Sequence, residues 1–178
     1  MKSLLLPLFF LFLFNIAKAQ ELAFEDYSLQ ENCPNWICLD YGYSLEVPFD
    51  VVVISDLNPF YLEADFNGDE QLDIAFFVKH KSDEKKGILI IHGKSKKIFL
   101  LGAGNSFGNG GDDWNWLEVW KVYRSQTAEK TIFSDSYEIT GSESVRLQNI
   151  AIEVSTSESA SNLIVWNGEE YEWIHTGS

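Results

Sequence analysis

A chain of 178 residues is long enough for one ordinary domain, and 46% hydrophobic and 15% aromatic content exclude an acidic disordered tail. Its 27 acidic and 13 basic residues leave a formal net charge of −14. Such a surface repels nucleic acid and anionic lipid, and favours cations or basic partners.

Lys2 gives a basic start, Leu4 to Phe14 form an apolar run, and Ala17 and Ala19 place small residues where a signal peptidase reads. Residues 1–19 are expected to be a secretory signal peptide cleaved before Gln20, with the product periplasmic or extracellular. The run is shorter than the roughly 20 residues of a bilayer span, and no second long apolar segment follows. No membrane span is therefore expected after cleavage. No cysteine lies near the cleavage point, which argues against a lipid anchor.

Residues 20–58 are irregular in pattern and are expected to wrap one side of a sheet. Both cysteines lie here, in C-P-N-W-I-C, and in an exported protein Cys33 and Cys38 are expected to form a local disulfide. So small a loop stabilises by only about 2 kcal/mol. The spacing is longer than the C-x-x-C of redox pairs, and no adjacent histidine completes a zinc set.

From residue 59 to 178 the pattern is that of a β domain. Phe60, Leu62, Ala64 and Phe66 alternate with Tyr61, Glu63 and Asp65. D-I-A-F-F-V-K, G-I-L-I-I-H-G and K-K-I-F-L-L-G-A-G read as three further strands, close enough in sequence for an antiparallel meander. A Gly/Asn-rich loop runs from Gly102 to Asp113, and W-L-E-V-W-K-V-Y is strand-like throughout. Residues 125–145 are polar and fit a loop, an edge strand or a short helix. N-I-A-I-E-V-S alternates again. The chain closes on L-I-V-W, Asn167-Gly168 and E-E-Y-E-W-I, expected to be a hairpin with a type I′ turn. No long amphipathic helix appears.

Between the first two strands stands A-D-F-N-G-D-E-Q-L-D-I-A. Counted from Asp65, oxygen-bearing side chains occupy positions one, three, five and nine: Asp65, Asn67, Asp69 and Asp73. Gln71 at position seven can offer its backbone carbonyl. Alternate residues of a tightly coiled loop can point inward together, and calcium takes six to eight such oxygens. Without a cation, converging carboxylates would repel, leaving the loop disordered or strained. The segment is not an EF-hand, because Glu70 stands where the glycine belongs and Phe76 where the bidentate glutamate belongs.

As D-F-N-G-D-E-Q-L-D-I-A-F-F-V, this stretch resembles the calcium loop of FG-GAP and VCBS-type repeats, D-x-D/N-x-D-G-x-x-D followed by an apolar strand. It departs from them in carrying Glu70 in place of glycine. The resemblance implies calcium-binding roles for Asp65, Asn67, Asp69, Gln71 and Asp73, and an all-β fold of blade-like antiparallel sheets. A closed propeller needs at least four blades of four strands, so the chain is too short for one. An isolated blade-like sheet or a sandwich is expected. With its L-G-A-G loop and closing W-N-G-x-x-Y-x-W hairpin, the chain also resembles small exported bacterial proteins carrying a single such repeat.

Other signals are weaker. G-N-S-F-G around Ser106 fits a hydrolase elbow, with Asp135 and His175 in the chain order of an α/β-hydrolase, but the helix that an elbow opens is missing from the pattern. Asp112 and Asp113 suit either a turn or a second cation site. Glu169, Glu170 and Glu172 suit a solvated strand or a basic partner. His80 and His92 lack the spaced partners of a zinc site. Trp114, Trp116, Trp120, Trp166 and Trp173 suit a core or a ligand platform. The expectation is a non-catalytic, exported, calcium-binding module that contacts a protein or a glycan, the alternative a secreted hydrolase using Ser106.

Overall fold

The computed structural model describes residues 20–38, 45–158 and 161–177, without the side chain of Cys38. The expected signal peptide lies outside the described residues, as does the Cys38 half of the expected disulfide. Among the described residues no cysteine is free.

The protein is all-β, with two short helices. In chain order it runs β1 (Gln20–Glu21), β2 (Ala23–Phe24), α1 (Tyr27–Glu31), α2 (Asn35–Cys38), β3 (Glu46–Val47) and β4 (Val51–Val53). It continues through β5 (Tyr61–Ala64), β6 (Asp73–His80), β7 (Lys86–Ile91), β8 (Ile98–Gly102) and β9 (Val119–Tyr123). Then come β10 (Thr127–Phe133), β11 (Ile139–Arg146), β12 (Ala151–Ser155), β13 (Asn162–Trp166) and β14 (Tyr171–His175). Helix α1 starts where Asp26 accepts the Leu29 N–H at 3.1 Å, satisfying one of the donors a helix N-terminus leaves open.

The strands β5, β6, β7 and β8 form an antiparallel meander. The long β6 pairs with β5 through residues 73–76 and with β4 through 78–80, and β2 adds to β4 in parallel. A second antiparallel sheet has the order β14-β13-β12-β9.

Side-chain alternation sorts these strands into three apolar layers. Ala75 and Phe77 of β6 and Ile88 and Ile90 of β7 face Trp120, Ile152, Val154, Ile164 and Trp166 of the second sheet. The two sheets thus form a sandwich. On the other face of the first sheet, Ile74, Phe76, Val78, Leu89 and Ile91 are covered by Leu22, Cys33, Ile37 and Val47. Burial on both faces explains why β6 and β7 read as continuous apolar runs rather than alternating ones. The outer face of the second sheet, Ala151 and Leu163, packs against Ala128 of β10 and Leu147 just beyond β11.

One open expectation is resolved and two need correction. The polar stretch 125–145 is a two-stranded ribbon, β10 paired with β11, largely solvent-exposed and therefore without a hydrophobic period to read. The strand-like W-L-E-V-W-K-V-Y begins pairing only at Val119, because Trp114 and Leu117 are drawn into the core as a turn. The last hairpin is not a two-residue turn. Trp166 pairs with Tyr171, so residues 167–170 are all loop. The Asn167 Oδ1 accepts the N–H groups of Glu169 (2.8 Å) and Glu170 (2.9 Å), and only Gly168 takes a positive φ, 110°. The asparagine side chain caps a wider loop in place of a type I′ turn.

Candidate cation loop

The acidic loop joins β5 to β6 and closes on its own carboxylates. Asp65 Oδ1 accepts the N–H of Gly68 at 2.7 Å and of Asp69 at 3.1 Å, and its Oδ2 accepts that of Glu70 at 2.9 Å. Asn67 Oδ1 accepts the Asp69 N–H at 2.9 Å, and Asp69 Oδ1 the Gln71 N–H at 3.0 Å. The spacing of two thus produces a chain of overlapping Asx turns, each side chain holding the backbone two to five residues on. Main-chain donors take up much of the carboxylates' hydrogen-bonding capacity.

Asp73 is the anchor. It begins β6 and is 0% exposed. Its Oδ2 accepts the N–H groups of Phe66 (2.9 Å) and Asn67 (3.2 Å), and its Oδ1 accepts the Gly93 N–H (2.9 Å) and the Asn67 amide (3.3 Å). Burial pushes its pKa up to about 6, against the lowering effect of the Gly93 and Phe66 hydrogen bonds, and the charge of Asp69 adds to the rise. The carboxylate is thus held in a dry, amide-lined socket beside another negative group.

Two glycine-type positions shape the loop. Gly68 has φ 79°, and a Cβ there would meet Asn149 Oδ1 at 2.3 Å. Glu70 has φ 67°. The backbone therefore keeps the left-handed conformation that favours glycine, and the glutamate bears it at a cost.

The charge of the loop has no internal counterion. Among the described residues no basic side chain forms an ion pair with Asp65, Asp69, Glu70 or Asp73. The Lys94 ammonium reaches only the Asp69 main-chain carbonyl, at 3.2 Å. Among the described residues there is also no group of three or more His, Cys, Asp or Glu side chains set to hold a metal ion. A cation here would need the Asn67 carboxamide and the Gln71 carbonyl alongside the carboxylates. All are hard oxygen donors of the kind calcium accepts.

The other candidates resolve differently. Asp112 forms an ion pair with Lys85, and Asp113 Oδ1 accepts the N–H of Lys86 at 3.0 Å and of Asn115 at 3.2 Å. The lysine holds the Asp112 carboxyl below the usual range. These two aspartates hold the Gly-rich loop to β7 and do not form an open pair. Ser106 is exposed and makes no side-chain hydrogen bond among the described residues. Beyond it the chain makes a three-residue 3₁₀ turn, Gly108–Gly110, and not the helix of a hydrolase elbow. His175 Nε2 lies 2.7 Å from the Asn109 amide. Trp114, Trp120 and Trp166 are core residues, and Trp116 and Trp173 pack against them. Glu169 and Glu170 lie in the exposed loop before β14, and Glu172 lies on its open face.

His92, just after β7, has a structural role the sequence did not signal. It is 2% exposed, with Nε2 2.8 Å from the Tyr171 hydroxyl and its ring against Phe99 and Trp166. It ties the acidic-loop end of the first sheet to the second. The Asp73 socket depends on it indirectly, since the Gly93 N–H that bonds Asp73 is the next donor along the chain.

Comparison of the chain with family models, with curated proteins and with solved structures found no match.

Proposed function

We propose that this is an exported, non-catalytic β module of FG-GAP/VCBS type, whose loop 65–73 takes a calcium ion and which binds a protein or a glycan. The observation that carries the reading is the charge of the loop. Asp65, Asp69, Glu70 and Asp73 lie within nine residues, one of them fully buried, and among the described residues none is paired with a basic side chain. Of the described basic groups near the loop, Lys94 bonds only the backbone, and Arg124, which lines a cleft with Asp65, forms no ion pair with it. A divalent cation relieves the Asp69–Asp73 repulsion and keeps the Asp73 carboxylate ionised. Asp65, Asn67, Asp69 and Asp73 would hold it with the Gln71 carbonyl. An exported protein meets calcium at levels that fill sites with Kd on the order of 10⁻⁴–10⁻³ M.

Thermal unfolding of the oxidised protein, in calcium and then in excess chelator, tests this. A ligand that binds only the folded state must raise its stability, by about 2.7 kcal/mol at a concentration of 100 Kd. The expected result is a calcium-specific rise in Tm that Asp69→Ala removes. An unchanged Tm at millimolar calcium, or an Asp69→Ala variant with full affinity, refutes the site.

A further inference from the structure

The two arginines of the chain, Arg124 and Arg146, are, with Lys94, Lys96 and Lys97, the described basic groups that form no ion pair. Lys79, Lys81, Lys85, Lys86, Lys121 and Lys130 each pair with a carboxylate. In a protein with twice as many acids as bases, pairing is the expected fate of a basic group. Yet among the described residues neither guanidinium makes an ion pair or a side-chain hydrogen bond. Both are exposed, at the base of the β10–β11 ribbon. There Thr127 pairs with Arg146 and the Leu147 N–H reaches the Gln126 carbonyl at 2.8 Å, so residues 124–127 run beside 146–149.

Each arginine lines a cleft. One, of about 210 Å³, is formed by Arg124, Ser125, Gln126 and Asn149 with Asp65 and Gly68 of the acidic loop. The other, of about 180 Å³, is formed by Arg146, Gln148, Asn149, Trp166, Asn167 and Glu172 among others. Leu147, Gln148 and Asn149 are a wall of both. Each cleft also contains one carboxylate, hydrogen-bonded within the protein but still charged, so an anionic ligand must be held by the arginine against it. Asp65 accepts three main-chain N–H groups, and Glu172 Oε1 accepts the Asn167 amide at 2.5 Å. The groups without a protein partner among the described residues are the two guanidiniums and the side-chain amides of Gln126 and Gln148, all exposed and free to bond a ligand in place of solvent.

We propose that these paired clefts bind an acidic oligosaccharide of the uronate class, one carboxylate to each arginine. The inference deepens the glycan-binding part of the function proposed above. A guanidinium offers a planar fork of donors that matches a carboxylate. A side-chain amide offers donor and acceptor together, as sugar hydroxyls require. A uronate carries a carboxylate and hydroxyls on every residue, so it satisfies both kinds of group at once. An acidic peptide would satisfy the arginines but present the methylene stems of its side chains to Gln126 and Gln148. The aromatic residue at the clefts, Trp166, is 8% exposed and offers no broad apolar face. Val145, Leu147, Val165 and Ile174 also line the second cleft, so its wall is mixed, with polar groups beside apolar ones.

The test is calorimetric titration of the protein with oligogalacturonate, in chelator. The calcium reading is then judged separately, by the melting experiment. Saturable binding is expected, with no binding of neutral oligogalactose. Arg124→Gln and Arg146→Gln should each weaken it at least tenfold while leaving Tm unchanged, because neither guanidinium has a partner among the described residues. Three results would overturn the proposal: no binding of oligogalacturonate, full affinity in the double variant, or tighter binding of oligoglutamate, which would assign the clefts to an acidic peptide.

Discussion

The acidic loop at residues 65–73 and the Gly-rich loop at residues 102–113 are built from the same residue types, Gly, Asn and Asp, by opposite means. The Gly-rich loop closes on its backbone, through the reciprocal Gly102–Asn105 bonds at 2.9 Å and Phe107 N–H to Gly111 at 3.1 Å. Some of its glycines lie against tryptophans: a Cβ on Gly110 would meet Trp114 Nε1 at 2.9 Å, and one on Gly108 would meet Trp173 Cβ at 2.5 Å. The charge of Asp112 is matched by Lys85. The acidic loop instead closes on side-chain carboxylates and has no internal counterion. Packing and paired charge complete the first loop. The second has satisfied hydrogen bonds and an unmatched charge, so calcium should act on it alone.

The largest effect should come from the packed loop. Trp114 is fully buried, touches Phe107, Trp116 and Trp173, and bonds the Gly111 carbonyl at 3.1 Å. Trp114→Ala should cost about 3–5 kcal/mol in urea unfolding. If the two loops are independent, its calcium-induced rise in stability will equal that of the wild type. A reduced calcium response would show that the loops are coupled through the sandwich.

Asp73→Asn strikes the acidic loop at its anchor. An amide can accept on one side only, and its NH₂ would face donors among Phe66, Asn67 and Gly93. The loss should be about 1–3 kcal/mol even in chelator, and the calcium response should vanish. If the variant is as stable as the wild type in chelator, Asp73 is only a ligand and not the clasp of the loop. Glu70→Gly works in the opposite direction. Removing the Cβ at φ 67° should stabilise by about 1 kcal/mol. A melting curve that moves down would mean that the glutamate contributes something its backbone strain conceals.

The strands that can be read from the sequence are those whose burial is regular. In β5 the buried Leu62 and Ala64 alternate with half-buried residues, and β6 and β7 are apolar because both faces are covered. The ribbon β10–β11 is illegible because it is exposed on most of its length and carries no core period. The acidic loop is visible as a motif, since its spacing is local. The Gly93 N–H that completes the Asp73 socket comes from 20 residues away, and no local pattern announces it. The same holds for His92 and Tyr171, 79 residues apart. In sequence His92 is an isolated histidine, because its partner is set by the packing of one sheet on the other.

That contact gives the smallest and most specific test, a pH profile that separates the neutral clasp of the sandwich from the charged clasp of the acidic loop. Burial holds the His92 pKa below 6.5, with Asp69 and Asp65 pulling it up and Lys97 down. In the fold the ring is neutral and fits the Tyr171 hydroxyl as donor. As pH falls through 6.5 the unfolded chain takes up the proton first, so His92 makes stability fall below that pH. Asp73 has the opposite sign. Its folded pKa is raised to about 6 from 3.8, so in chelator its contribution makes stability rise as pH falls from about 6. The wild-type profile between pH 4 and 7 therefore mixes opposed slopes, with His175, also lowered by burial, acting in the same direction as His92, and His92→Gln should remove the share of His92. In chelator the variant should become more stable relative to wild type as the pH drops below about 6.5. A difference independent of pH would mean that His92 has the same pKa folded and unfolded, and a variant that loses stability relative to wild type on acidification would mean that the acidic loop holds the ring protonated, so that the two loops differ less in charge than their ion pairs indicate.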